Sequence, residues 1–148
     1  MKEGYKDGIL VSNIEISSNI YEMKLEGDFK GGPGQFYMLR GWEGLDPFLS
    51  RPISICDLKD NEITFLYEVR GRGTHILSNL KKGGKLSILG PLGNGFNLHG
   101  NKKIAIVSGG IGMAPMLYLA KMLKSNTDLY AGFREDVYYL NKIGRAHV

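Results

Sequence analysis

The chain has 148 residues, 43% of them hydrophobic and 23% charged, with a formal net charge of +4. That length accommodates one good core but not two complete ones, and the apolar content excludes a disordered chain. The small positive excess, carried by dispersed lysines, excludes a dedicated nucleic-acid binder.

Met1–Gly8 is polar and the apolar run Ile9–Val11 is too short for a secretory signal. The apolar-leaning window 104–119 is broken by Ser108, three glycines and Pro115, short of the ~20 apolar residues of a membrane span. Cys56 is the only cysteine, which leaves no internal disulfide framework and no multi-cysteine metal site. A cytoplasmic setting with no membrane contact is expected. The 21 glycines are about twice the usual ~7% share and gather where a backbone turns sharply or approaches a ligand.

From Gly8 to about Leu98 the chain reads as short strands with turns between them. Ile9, Val11, Ile14 and Ile16, then Ile20 to Leu25, give imperfect alternation with period two, the pattern of strands with one buried face. Gly31-Gly32-Pro33-Gly34 interrupts, Gln35–Arg40 resumes, and Pro52–Cys56 supplies another strand. Ile63–Val69, rich in β-branched and aromatic residues, is the most strand-like segment. A short helix is predicted over Thr74–Leu80, capped by Thr74 and stopped by Lys81-Lys82-Gly83-Gly84. Lys85–Gly90 is a sixth strand. Six short strands with one short helix predict an all-β antiparallel Greek-key barrel over residues 1–100.

The composition changes near residue 100. Ile104–Ser108 is an almost wholly apolar strand of the kind covered on both faces. A glycine-rich turn follows, Pro115 suits the first turn of a helix, and Met116–Leu123 continues that helix to Ser125-Asn126. Leu129–Phe133 is a second strand, completing β-α-β. Residues 101–137 therefore read as the start of an α/β nucleotide-binding domain, and 138–148 as a non-native or disordered tail.

Several segments carry chemistry as well as shape. Arg51-Pro52-Ile53-Ser54 places an arginine at the start of a strand, either as a bidentate clamp for a diphosphate or as a surface arginine. Ser54, through its hydroxyl or amide, would donate toward a flavin ring nitrogen in the first case. Downstream, Tyr67–Val69 runs into Arg70-Gly71-Arg72-Gly73-Thr74. Free amides at a helix start, with the threonine hydroxyl, make an anion site or simply a glycine turn. Gly90-Pro91-Leu92-Gly93-Asn94-Gly95-Phe96 reads first as a corner between domains, with Phe96 bordering a ring or filling core.

Ser108-Gly109-Gly110-Ile111-Gly112-Met113-Ala114-Pro115 follows an apolar strand and opens a helix, the setting a dinucleotide fingerprint requires. It is not Gly-x-Gly-x-x-Gly, and no acidic residue is expected beyond the second strand in the usual arrangement. His75, His99 and His147 lie apart without ligand partners at metal spacing, and Cys56 reads as core. No nucleophilic triad or carboxylate pair can be assembled, so no catalytic residue is assigned.

Taken in order, these motifs resemble the ferredoxin-reductase superfamily over residues 5–137. More narrowly they resemble the electron-transfer subunits of NAD-dependent dihydroorotate dehydrogenases. The resemblance implies an oxidoreductase component that binds FAD, with Arg51 at the diphosphate, Pro52 within the same cofactor-binding run, Ile53 and Ser54 beside the flavin ring, and Val69 and Arg70 at its pyrimidine end. Gly73 and Thr74 would bind the diphosphate, and Gly109, Gly110, Gly112 and Pro115 would admit NAD.

It further implies a [2Fe-2S] cluster on four cysteines, none of which this sequence carries, and a hetero-oligomer with an FMN-containing dihydroorotate dehydrogenase catalytic subunit. Other readings are a different flavin-dependent NAD(P)H or ferredoxin oxidoreductase subunit, or a noncatalytic barrel that only docks a partner. The run Lys142–Val148 looks like translated sequencing adapter, so a shortened reading frame is expected.

Overall fold

The computed structural model describes residues 4–100, 102–123, 127–142 and 146–147; side chains from 142 onward lie outside that description. Six strands close a barrel: β1 (Lys6–Ser17), β2 (Ile20–Glu26), β3 (Phe36–Arg40), β4 (Arg51–Lys59), β5 (Glu62–Glu68) and β6 (Lys85–Leu92). Their order around the barrel is β1-β2-β5-β4-β3-β6, every neighbouring pair antiparallel. Strands β3 to β5 are consecutive neighbours and β6 returns to lie beside β3, which is the Greek-key order expected from the sequence.

Alternation decides what fills the barrel. Leu10, Met23, Leu25, Tyr37, Leu39, Ile55, Ile63, Phe65, Tyr67, Leu86 and Ile88 are buried and form one cluster. Helix α1 (Arg72–Ser78) joins β5 to β6 and contributes the fully buried Leu77 to that cluster. Asn13 donates its amide to the Leu77 carbonyl at 2.9 Å and accepts the Tyr67 hydroxyl at 2.9 Å. Burial pushes the Tyr67 phenol well above its ordinary value, against the opposing effect of the Asn13 hydrogen bond.

Beyond the barrel, β7 (Ile104–Gly109), α2 (Met113–Leu123) and β8 (Thr127–Gly132) form the β-α-β unit, with β7 and β8 parallel and in register from Ile104↔Thr127 to Gly109↔Gly132. A two-residue strand, β9 (Ala146–His147), pairs parallel with the free side of β8. Helix α2 begins two residues before Pro115. The proline tolerates this because amides of a first helical turn have no partner within the helix.

A second buried cluster joins the two parts. Cys56 and Leu66 on the outer barrel face, with Ile20, pack with Ile106, Met113, Leu117 and Leu129. This explains why Ile63–Tyr67 is buried continuously along β5: barrel core covers one face and α2 the other. Tyr118 of α2 reaches the barrel cluster and donates to the Gly31 carbonyl at 3.2 Å, and Lys121 Nζ pairs with Asp57 Oδ1 at 2.6 Å. Tyr138 and Leu140 are buried in the same joining cluster. Among the described residues no helix is long and apolar enough to cross a membrane.

Candidate functional site: a cradle on the barrel and a cleft beside it

Arg51 opens β4 directly after Ser50, a buried serine whose hydroxyl pairs with that of Tyr5 at 3.0 Å. The register Leu39↔Arg51, Met38↔Pro52, Tyr37↔Ile53, Phe36↔Ser54 fixes the run. Strand alternation then sends Arg51 and Ile53 to one face and Pro52 and Ser54 to the other. Ile53 packs against the barrel core.

Across from Arg51, the first turn of α1 comes so close that a side chain at position 73 would displace the guanidinium. A Cβ on Gly73 would stand 2.3 Å from Arg51 Nε and 3.0 Å from its Cζ. Gly73 is buried and Arg51 half-buried, so a five-donor fork lies against the face of Gly73 in the first turn of α1.

Thr74 has a different part from the one its sequence position suggests. Its hydroxyl accepts the amides of Arg70 at 3.0 Å and Gly71 at 3.2 Å and donates to the Gly71 carbonyl at 3.0 Å. The hydroxyl is thereby committed to its own loop, and the helix starts at Arg72 with Gly71 as the capping residue rather than Thr74. What Thr74 supplies is the shape of the turn. Arg72 in the same turn pairs with Asp46, and Arg70 Nε pairs with Glu68 Oε2 at 2.8 Å.

The glycine loop forms a second locus. Gly110 stands at φ +53° in the single turn of 3-10 helix Gly110–Gly112, and open space lies where Cβ atoms on Gly109, Gly110 and Gly112 would be. Gly109, Gly110 and Ile111 line a cleft of about 630 Å³ together with Arg70 and Glu68 of the barrel. Gly112 and Pro115 shape the turn into α2 without lining that cleft.

The remaining walls are residues that carry no sequence signature. Ser17, Ser18 and Asn19, the β1–β2 turn, form one side, and Phe133 to Asp136 with Tyr138 another. Two acidic residues follow the second strand at a distance: Glu135 and Asp136 sit beyond β8 on the wall of the same cleft. Tyr138 is buried, its phenol raised first by burial and then by the nearby Glu68 carboxylate. The Ser108 and Tyr138 hydroxyls are buried with no hydrogen-bond partner among the described residues. Buried hydroxyls are ordinarily satisfied, so two orphans around the glycine loop fit a site made for a polar ligand.

Gly90–Phe96 is pinned to the barrel rather than to either locus. Gln35 Nε2 donates to the Gly93 carbonyl at 2.7 Å, the Phe96 amide donates to Pro33 O at 2.9 Å, and a Cβ on Gly34 would meet the Phe96 ring at 2.8 Å. Phe96 covers a glycine turn.

A closed six-stranded barrel whose β5–β6 helix opens against a strand-start arginine, followed by a parallel β-α-β unit with a glycine loop, defines a class. The fold is that of ferredoxin-NADP reductase-type proteins. It is similar to the "Dihydroorotate dehydrogenase B (NAD(+)), electron transfer subunit" of Clostridium acetobutylicum, with 54% identity over 136 residues, 90% of this chain and 55% of the relative.

Among solved structures it superposes on an NADH-dependent reduced ferredoxin-NADP oxidoreductase with a TM-score of 0.77 at 25% identity, covering 87% of this chain and 49% of the other. Phthalate dioxygenase reductase matches with a TM-score of 0.77 at 18% identity over 99% of this chain and 52% of the other, a likeness of fold. No protein-family model matches the sequence. The chain spans about half the length of the curated relatives it matches.

Proposed function

We propose that this chain is an FAD-binding electron-transfer module that exchanges electrons with NAD and with the FMN-containing catalytic subunit of a dihydroorotate dehydrogenase, in the cytoplasm. The observation that carries the reading is the Arg51–Gly73 approach, a guanidinium so near the first turn of α1 that a Cβ at position 73 would force it to move.

In this reading residues 1–100 are the flavin barrel and 101–137 the opening part of the nicotinamide unit; 138–148 is a tail in sequence terms, yet its Tyr138 and Leu140 pack into the joining cluster. Arg51 holds the cofactor's diphosphate through charge-assisted paired hydrogen bonds, with the Gly73 and Thr74 amides completing the anion site. Ile53 supplies an apolar surface for the ring, and Ser54 donates to it through hydroxyl or amide. Val69 and Arg70 border the pyrimidine end, where Arg70 faces the cleft shared with Gly109 and Gly110.

When bound, a flavin supplies the reversible uptake of electrons that the side chains cannot supply. The chain's own contribution is position and charge. Arg70 brings a cation to the cleft, balanced by Glu68 at 2.8 Å, and the open backbone at Gly109–Gly112 leaves room for a dinucleotide to approach. A [2Fe-2S] cluster does not fit these residues: Cys56 is the only cysteine and is buried in the barrel wall.

The test is a titration of apoprotein with FAD, FMN and riboflavin, followed by flavin fluorescence, in the parent and in Arg51→Gln. Preference for FAD and FMN over riboflavin in the parent, collapsing by about a hundredfold in the variant, is the expected result. Equal affinity of the parent for riboflavin and FAD would remove the diphosphate cradle from the account.

A further inference from the structure

One polar side chain of the barrel stands where alternation alone would not put it. On β1, Leu10 faces the core opposite Leu25, and a period of two would carry Ser12 inward and Asn13 outward. The ladder instead slips between Leu10 and Ser12, so that Ser12 pairs with Lys24 and Asn13 with the fully buried Met23. Opposed residues of an antiparallel pair share a face. The extra residue, Val11, therefore turns Asn13 toward the barrel interior, as a β-bulge does when it re-aims a side chain.

Once inside, the Asn13 amide is fully engaged. Nδ2 donates to the carbonyls of Leu77 at 2.9 Å, Ser78 at 3.3 Å and Leu80 at 3.3 Å, and Oδ1 accepts the Tyr67 hydroxyl at 2.9 Å. Carbonyls only accept, so the group among them is the amide nitrogen, and the oxygen is left for the phenol. Tyr67 is itself immobilised, 1% exposed and stacked on Tyr21 with ring centres 5.7 Å apart.

A single side chain thus holds both ends of one segment. Tyr67 lies near the end of β5, Leu77 and Ser78 close α1, and Leu80 follows two residues on. Val69, Arg70, Gly73 and Thr74, the residues assigned above to the flavin ring and its diphosphate, all fall between these ties. Within the segment the amides of Arg70 and Gly71 turn to the Thr74 hydroxyl, which fixes the shape of the turn but not its place on the barrel. The Arg72–Asp46 pair, with side chains 66% and 74% exposed, adds little. Burial of Leu77 holds α1 down without direction, whereas the Asn13 hydrogen bonds are directional.

We propose that Asn13 is a positioning residue for the flavin site: by tying Tyr67 to the Leu77, Ser78 and Leu80 carbonyls, it holds the first turn of α1 against Arg51. The proposal rests on the flavin reading above. Position matters there because a Cβ on Gly73 would stand only 2.3 Å from Arg51 Nε, so a small slide of α1 opens or closes the cradle. Groups fixed in place before the cofactor arrives need no ordering when it binds.

The experiment titrates FAD and riboflavin, by flavin fluorescence, into the parent, Asn13→Leu and Tyr67→Phe. Leucine is close to asparagine in size but makes no hydrogen bond. Riboflavin lacks the diphosphate, and a uniform loss of competent chain weakens both ligands by the same factor, so the ratio of their affinities reports the cradle and not stability. The preference for FAD is expected to fall about tenfold in Asn13→Leu and about threefold in Tyr67→Phe, which keeps the amide donors but frees the amide to turn. Hydrogen exchange of the His75 amide, bonded to Gly71 O at 2.9 Å, should quicken in both variants while that of β3 does not.

An unchanged preference in Asn13→Leu overturns the proposal, as does equal weakening of FAD and riboflavin, which would make Asn13 a matter of stability alone. Should Asn13→Leu not fold, Tyr67→Phe decides the question by the same ratio. A parent that does not prefer FAD refutes the flavin reading and this inference with it; a parental preference that Asn13→Leu retains refutes this inference only.

Discussion

The barrel and the β-α-β unit are built from the same kinds of residue, yet they finish differently. In the barrel each strand has two neighbours, and inward side chains such as Met23, Leu39, Ile63 and Phe65 have no measurable exposure. In the sheet of β7, β8 and β9, β7 has one neighbour among the described residues, and Val107 and Tyr130 remain 80% and 44% exposed. A strand as apolar as Ile104–Ser108 belongs in a sheet with both faces covered, and here only the face toward α2 is covered. The contrast teaches that closure, more than composition, decides which part can hold a ligand firmly.

The contrast can be broken at its strongest point by comparing one substitution in each region. Phe65→Ala should destabilise the chain by about 3–5 kcal/mol through loss of buried area and the cavity left behind. Val107→Ser should change stability by less than about 0.5 kcal/mol. Urea unfolding followed by tyrosine and tryptophan fluorescence reads both, and similar costs at the two positions would abolish the distinction.

A second comparison sets Gly73 against Gly109. Gly73→Ala drives a Cβ into Arg51, so FAD affinity should fall about tenfold, or ~1.4 kcal/mol, as measured by fluorescence titration. At Gly109 a Cβ meets nothing within 4 Å, and Gly109→Ala should leave FAD affinity unaltered. Loss of FAD at both positions would mean that the two loci are not separable.

Weaker still is the bolt between the regions. Lys121→Met removes the 2.6 Å pair with Asp57, but Lys121 is 46% exposed, so the cost should stay below about 1 kcal/mol. Hydrogen exchange should quicken in α2 and not in β5 if the pair fastens the unit onto a self-sufficient barrel.

A pH series sharpens the same division. The Tyr67 phenol is held neutral in the folded barrel above the ordinary value near 10. Above pH 10 the unfolded chain therefore binds fewer protons than the folded one, and stability falls as pH rises. The stabilisation is fully present below pH 10. The fall should be shallower in Tyr67→Phe, and an identical alkaline slope in the two proteins would show that another group governs it.

Much of this organisation was legible in the sequence because it follows from periodicity. Ile63–Val69 was the clearest strand and is β5 at Glu62–Glu68; the six barrel strands, the glycine turn and both helices fall where alternation and turn residues put them. Side-chain competition for backbone groups was less legible. Thr74 reads as a cap, but its hydroxyl reaches back to the amides of Arg70 and Gly71, so α1 begins at Arg72 and ends at Ser78, two residues early at each end. The cleft was legible only in part. Arg70 and Gly109 carry a signature, whereas Ser17-Ser18-Asn19 reads only as a tight turn, with Asn19 at φ +59°. Its place beside the glycine loop arises from packing between distant segments, which no local pattern records.

On the proposed function the barrel is a whole flavin site while the β-α-β unit is an open doorway. The most direct test is to reconstitute the purified chain with FAD, measure bound flavin per chain, and then add NADH anaerobically while following the flavin absorbance. About one FAD per chain is expected, with slow or no bleaching by NADH. A colourless protein that retains no FAD, or rapid stoichiometric bleaching, would contradict it.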